Sequence, residues 1–117
     1  NSSPLVVIAN MDKNQLSEYL KMADELRDAG IACEVSYGSK NLAKQLKYCD
    51  RKNANIVVIA GDSEIKNGVI SVKDLAAGKE LSKKITEREE WKESKAGQFE
   101  VKRKELISAI KKILGIQ

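Results

Sequence analysis

A three-layer α/β domain built on a mixed five-stranded sheet is predicted by three features of the sequence. Two uninterrupted apolar runs rich in β-branched residues, Leu5-Val6-Val7-Ile8-Ala9 and Ile56-Val57-Val58-Ile59-Ala60, have the signature of strands covered on both faces. Segments of helical periodicity separate these runs, which places helices between buried strands. After the second run come two shorter segments of strand character and a last amphipathic helix, so the sheet is mixed and the order is βαβαβββα.

The elements follow in order. Leu5 to Ala9 opens directly after Pro4 as the first buried strand. Asp12 and Gln15 have the spacing of a capping box, and Leu16, Tyr19, Leu20, Ala23 and Leu26 recur at helical intervals until Gly30. Ile31, Cys33, Val35 and Tyr37 then alternate with Ala32, Glu34 and Ser36, a period of two that marks a strand near the sheet edge with one more polar face; Tyr37 fits the apolar face. Gly38 turns the chain and Ser39 is a cap for a second helix, whose stripe is Leu42, Leu46 and Cys49 and whose end is near Arg51 or Lys52. The central strand, Ile56 to Ala60, reaches the surface at Gly61-Asp62-Ser63-Glu64. Loops at the carboxyl ends of central strands are rigidly supported and face solvent, so these polar residues are the first site candidate, although they equally fit an ordinary turn.

Asn67-Gly68 signals a turn, Val69 to Asp74 alternates as a short strand, and Ala77-Gly78 ends that segment. Residues 79–97 are mostly charged and form an excursion before the last strand. Thr86 and Glu89 suggest a short helix over 87–95 anchored by Trp91. Gln98 to Lys102 is the last strand, and Leu106, Ile107, Ile110, Ile113 and Leu114 share one face of the final helix.

Size and composition limit what such a domain does. A chain of 117 residues fits a single domain, 1–117, whose core needs neither disulfide nor metal. It starts Asn1-Ser2-Ser3-Pro4, with no initiator Met and no basic start or apolar core of a signal peptide, and so reads as a fragment of a longer parent. The apolar runs are far shorter than a membrane span, so no membrane role is expected. Cys33 and Cys49 occupy apolar positions of regular patterns and read as core thiols of a reducing, cytoplasmic compartment. With no His in the chain, Ser-His-Asp, Cys-His and His-zinc chemistry are excluded, and the domain itself is expected to be non-catalytic, with no catalytic residue and no metal ligand.

The formal charge is +4, and its arrangement says more than its size. At about 100° per residue, Lys40, Lys44, Lys47 and Arg51 fall within about 60° of one another, opposite the apolar stripe and with no acid among them. An unbroken basic ridge of this kind suits phosphate contact, and also a plain solvated face. The first βα turn, Asn10 to Asn14, has no Gly, so the close backbone approach of a dinucleotide site is absent. Asp12 and Asp62 at two strand ends would suit a phospho-acceptor receiver domain, but two short strands follow where further βα units belong.

These segments in register resemble the C-terminal anticodon-binding domain of class II aminoacyl-tRNA synthetases, specifically that of histidyl-tRNA synthetases. The resemblance covers about residues 4–78 and 98–114. It is carried by Val6 to Ala9, Leu26 to Ile31, Leu42 to Asp50, Val58 to Glu64 and Gly68 to Leu75. The charged excursion is similar to the longer bacterial form, of the α-proteobacterial kind. The resemblance implies an anticodon-binding-domain fold and a parent ligase, expected to be a homodimer, that joins histidine to its tRNA for protein biosynthesis. ATP and Mg²⁺ would be held in the parent's catalytic domain and no cofactor here. It further implies that the partner is the anticodon loop of tRNA(His). Glu64 would be the base-edge acceptor, Lys47 and Lys73 neighbouring donors, Gln45 and Ser39 further contacts, and Lys40, Lys44 and Arg51 the phosphate-facing cations. A paralogue that keeps the fold as an RNA sensor or protein-interaction domain, without synthetase activity, is the alternative.

Overall fold

A computed structural model describes residues 3–37, 41–77 and 97–117. Ser39, Lys40, the expected 87–95 helix and Trp91 lie outside these residues. Five strands form one sheet: β1 (Leu5–Ile8), β2 (Ala32–Val35), β3 (Ile56–Ile59), β4 (Val69–Asp74) and β5 (Gln98–Lys102), in the spatial order β2-β1-β3-β4-β5. β1 pairs in parallel with β2 and β3, whereas β4 runs antiparallel to β3 and β5 antiparallel to β4. The alternating segment with the more polar face, β2, is the edge strand, and the apolar run β3 is the middle one.

Among the described residues the sheet is accompanied by helices α1 (Leu16–Asp28), α2 (Leu42–Arg51), α3 (Asp62–Lys66) and α4 (Leu106–Leu114). The uninterrupted apolar runs are explained by a core on each side of the sheet. Val6, Ile8, Ile56 and Val58 join Tyr19, Met22, Ala23 and Leu26 of α1 and Leu106 and Ile110 of α4. The intervening residues Val7, Ala9 and Val57 pack with Cys49, Leu42 and Leu46 on the α2 side. Period-two alternation therefore sends apolar side chains to both layers. The two cysteines are buried in different cores, and burial pushes the Cys33 thiol up to about 12 and the Cys49 thiol to about 11. At neutral pH both are protonated and unreactive.

Helix ends depart from the sequence expectation where side chains had a better partner. Asp12 caps a 3-10 turn by accepting from Asn14 N–H at 3.0 Å, but Gln15 does not return to it; its amide donates to Asp62 instead, at 2.7 Å. Asn41 caps α2, accepting from Lys44 N–H at 3.2 Å, and takes the place expected for Ser39. The end of α1 is a Schellman turn: Ile31 N–H donates to Leu26 C=O and Gly30 N–H to Arg27 C=O, both at 2.9 Å, with Gly30 at φ +83°. Leu16 and Leu20 lie at the margin of the α1 stripe, about 60° and 100° from Tyr19, and stay exposed.

α1 and α4 share a core, and one arginine fastens their ends. Arg103 Nε donates to Glu18 Oε2 at 2.7 Å, while Nη1 and Nη2 grip both oxygens of Glu25 at 2.9 and 2.8 Å. This fork holds the Glu25 carboxyl below its usual range, because the Arg103 hydrogen bonds favour the charged form. No described helix is long and apolar enough to cross a membrane.

Candidate nucleic-acid interface

The parallel strands β1, β2 and β3 end side by side, since Ile8 pairs with both Val35 and Val58. Main-chain bonds carry the pairing one residue further: Ser36 N–H donates to Ile8 C=O at 2.9 Å and Ala9 N–H to Val58 C=O at 2.8 Å. Beyond them, Tyr37, Asn10 and Gly61 emerge in a row along the carboxyl edge.

On the β3 side this edge is firmly braced. The buried Tyr19 hydroxyl donates to Ala60 C=O at 2.6 Å, joining α1 to the strand end. Gly61 then enters α3, a one-turn helix where the sequence suggested a loop. Glu64 Oε1 accepts from Gly61 N–H at 2.7 Å, which satisfies one of the donors a helix start leaves open. Asp62 is engaged at both oxygens, by the Gln15 amide at 2.7 Å and by Lys66 at 3.0 Å. Lys66 first, and Gln15 after it, hold the Asp62 carboxyl below its ordinary range. Of this turn, Glu64 keeps partial exposure with one oxygen committed, and Ser63 is exposed.

In the middle of the edge, Gln45 is only 2% exposed. Its Oε1 accepts from Asn10 N–H at 2.8 Å and its Nε2 donates to Asn10 C=O at 3.2 Å. Both ends of this amide are spent on the backbone of the β1–α1 connection, so the expected base contact by Gln45 gives way to a bracing role. Asn10 Oδ1 is buried without a hydrogen-bond partner. At the β2 end, Tyr37 is 81% exposed. The expectation of an inward Tyr37 fails because β2 stops at Val35, so the period of two no longer governs the residue just before Gly38.

The basic ridge is borne on α2, with Lys44, Lys47 and Arg51 all exposed. The helix runs back from the carboxyl edge, so Lys44 lies nearest the row of strand ends and Arg51 about 10 Å further along the axis. Lys73 belongs elsewhere. It pairs with Val57 across β3–β4, on the α2-side face and about 13 Å of strand before Gly61. The structure thus brings Glu64, Asn10 and Tyr37 to one edge, sets the α2 cations beside it, and keeps Lys73 apart from Glu64. Among the described residues no group of three His, Cys, Asp or Glu side chains is placed to hold a metal.

A family model described as "Anticodon binding domain" matches residues 5–113. The chain belongs to the anticodon-binding domain family. Similar curated relatives are histidine–tRNA ligases: that of Roseobacter denitrificans is 44% identical over 93% of this chain, and that of Ruegeria pomeroyi 42% identical over 96%. A crystal structure of histidyl-tRNA synthetase from Nostoc sp. PCC 7120 matches 97% of the chain at 26% identity with a TM-score of 0.75. The anticodon-binding domain spans 21 to 22% of the length of these two ligases and 23% of the solved chain. The α-proteobacterial character of the sequence and the mixed five-stranded fold agree with these relatives.

Proposed function

We propose that this anticodon-binding domain holds the anticodon loop of tRNA(His) for a histidine–tRNA ligase. The observation that carries the reading is its likeness, along nearly its whole length, to one stretch of ligases that all bear this name. The domain contributes recognition. The remaining four-fifths of such an enzyme would bind ATP and Mg²⁺ and join histidine to the tRNA, as a homodimer in the cytoplasm, with no cofactor in this part. Single-stranded loops are read through splayed bases, by contacts to their edges and by stacking, and an exposed strand-end row beside a cationic helix suits that task. Lys44, Lys47 and Arg51 supply phosphate attraction, with Lys40 and Ser39 preceding them in sequence. Glu64 offers a carboxylate to base N–H groups, and Lys73 adds positive charge on the neighbouring sheet face.

Charge reversal of Lys44 and Lys47 together tests the reading. RNA binding should weaken for all hairpins alike, and the dependence of log K on log salt should flatten by roughly 1 to 2 units, given about 0.7 per neutralised phosphate on single strands. An unchanged slope would reduce the ridge to a solvated surface, and wild-type binding without salt dependence would favour a protein-interaction role.

A further inference from the structure

We infer that the outer edge of β5 and the outer face of α4 form a two-fold interface through which this domain pairs with a second copy of itself. This goes beyond the RNA-binding reading and does not depend on it.

The strand order leaves β2 and β5 at the two margins of the sheet, and an open strand edge is a template for another strand. The β2 edge is closed. Ser36 N–H turns inward to Ile8 C=O, so alternation turns the Cys33 main chain outward, and Arg27 covers the Cys33 carbonyl with Nε at 3.2 Å and Nη2 at 2.8 Å. The β5 edge has no such cover. Gly97 C=O accepts from Asp74 N–H and Arg103 N–H donates to Gly68 C=O, both at 2.8 Å, so the odd-numbered residues of β5 face β4. Gln98, Glu100 and Lys102 therefore turn N–H and C=O outward, and among the described residues no side chain bonds to these main-chain groups.

Strand and helix at this margin are self-complementary about one axis. Antiparallel pairing that sets Val101 against the second copy's Val101 places Glu100 opposite Lys102, and Lys102 opposite Glu100, while the outward main-chain groups bond across. The register with Glu100 on the axis would instead oppose two carboxylates, which is unfavourable. The helix selects the same axis. α4 shares an open groove of about 670 Å³ with Phe99 and Val101, and its wall of the groove includes Glu105, Ser108, Ala109 and Lys112. These four recur at i, i+3, i+4 and i+7, one stripe of the helix. Four helix steps from Glu105 to Ala109 advance about 6 Å, and two strand steps from Arg103 back to Val101 about 7 Å, so the small residues Ser108 and Ala109 stand abreast of Val101. A two-fold axis through Val101 sets the two α4 helices antiparallel, with Glu105 toward the second copy's Lys112 at each end and the small residues between. Phe99, 43% exposed and on the same sheet face as Val101, is covered in the pair. The occupant that satisfies both elements at once is a second copy of this chain.

The test is sedimentation equilibrium of the 117-residue chain without RNA, from about 1 μM to about 1 mM. The wild-type chain should pass from monomer toward dimer within this span. Glu100→Lys should weaken pairing about 5- to 100-fold, because each of the two cross-strand pairs becomes a like-charge contact. Glu100→Lys combined with Lys102→Glu puts opposite charges back in the same register, and should recover the wild-type constant to within about 5-fold. Ser108→Arg crowds the helix side of the axis and should weaken pairing as well. All three positions are exposed, so unchanged Tm in these variants ascribes the losses to the interface. A wild-type chain that stays monomeric at about 1 mM overturns the interface, as does an association constant that Glu100→Lys leaves unaltered. Loss in the single variant without recovery in the swapped one overturns the Val101 axis.

Discussion

Glu64 has one carboxylate oxygen in a structural bond and keeps partial exposure to solvent. Accepting from Gly61 N–H, it caps α3; as an anion, it selects base edges that present N–H groups and repels phosphate. Substitutions separate the two roles. Glu64→Gln keeps an acceptor oxygen for Gly61, so thermal stability should change little. It should nevertheless lose about 1 to 3 kcal/mol against a histidine-anticodon hairpin and hold or gain against a scrambled loop. Glu64→Ala should lose about 0.5 to 2 kcal/mol of stability as well, the range for a lost helix cap. Paired titrations at equal salt read the first effect and denaturation the second; an equal change on both hairpins would leave Glu64 as a cap alone. That Glu64 lies at the end of a central strand was legible from Ile56 to Glu64. That its carboxylate folds back on Gly61 was not, because the sequence suggested a loop where a single turn of helix forms.

Helix α2 joins the site to the core, and Gln45 is its fastening. The helix carries Leu42, Leu46 and Cys49 into the α2-side core, leaves Lys44, Lys47 and Arg51 in solvent, and sends one buried amide to Asn10. Gln45→Leu keeps the volume but strands the Asn10 N–H and C=O, each with a desolvation cost of about 1 to 3 kcal/mol where water cannot reach. The expected outcome in urea denaturation is a loss of about 2 kcal/mol or more, together with weaker RNA binding as Asn10 shifts. A loss below about 0.5 kcal/mol would show that water replaces the amide. The stripe and the ridge of this helix follow from a 3.6-residue period and were readable in advance. Gln45 was readable only as a polar residue near the cations, since its inward direction depends on an Asn 35 positions earlier.

Among the described residues, three carboxyls held below their ordinary range contribute to stability in a pH-dependent way. Glu25 is held low by Arg103, Glu34 by the Tyr48 hydroxyl and then Lys52, and Asp62 by Lys66 and Gln15. In each case the unfolded chain takes up the proton at a higher pH than the folded one. Stability from these groups is therefore full above the ordinary Glu value of 4.5 and is lost as pH falls through the lower folded values. Urea midpoints measured from about pH 7 down to about pH 3 should be level at first and then decline. Glu25→Gln should flatten the decline, because Arg103 then lacks the Glu25 carboxylate at every pH and keeps only Glu18; an unaltered acid limb would mean that solvent screens the fork. These pairs link residues distant in sequence, Arg103 with Glu18 and Glu25 among them, and charge counting does not reveal them.

The sequence by itself determined the layers of this protein and its family. Continuous β-branched runs admit only strands covered on both faces, helical stripes state which side of each helix is buried, and five segments in register carry the resemblance to anticodon-binding domains. Tertiary structure alone decided which polar groups remain for a ligand. Tyr37 faces solvent because β2 ends two residues earlier, and Asn10 lacks a side-chain partner while Gln45 holds its backbone. Periodicity reports which face of an element is apolar. The partners of a polar atom depend on which distant segments come within hydrogen-bond reach, and only the folded chain brings those segments together.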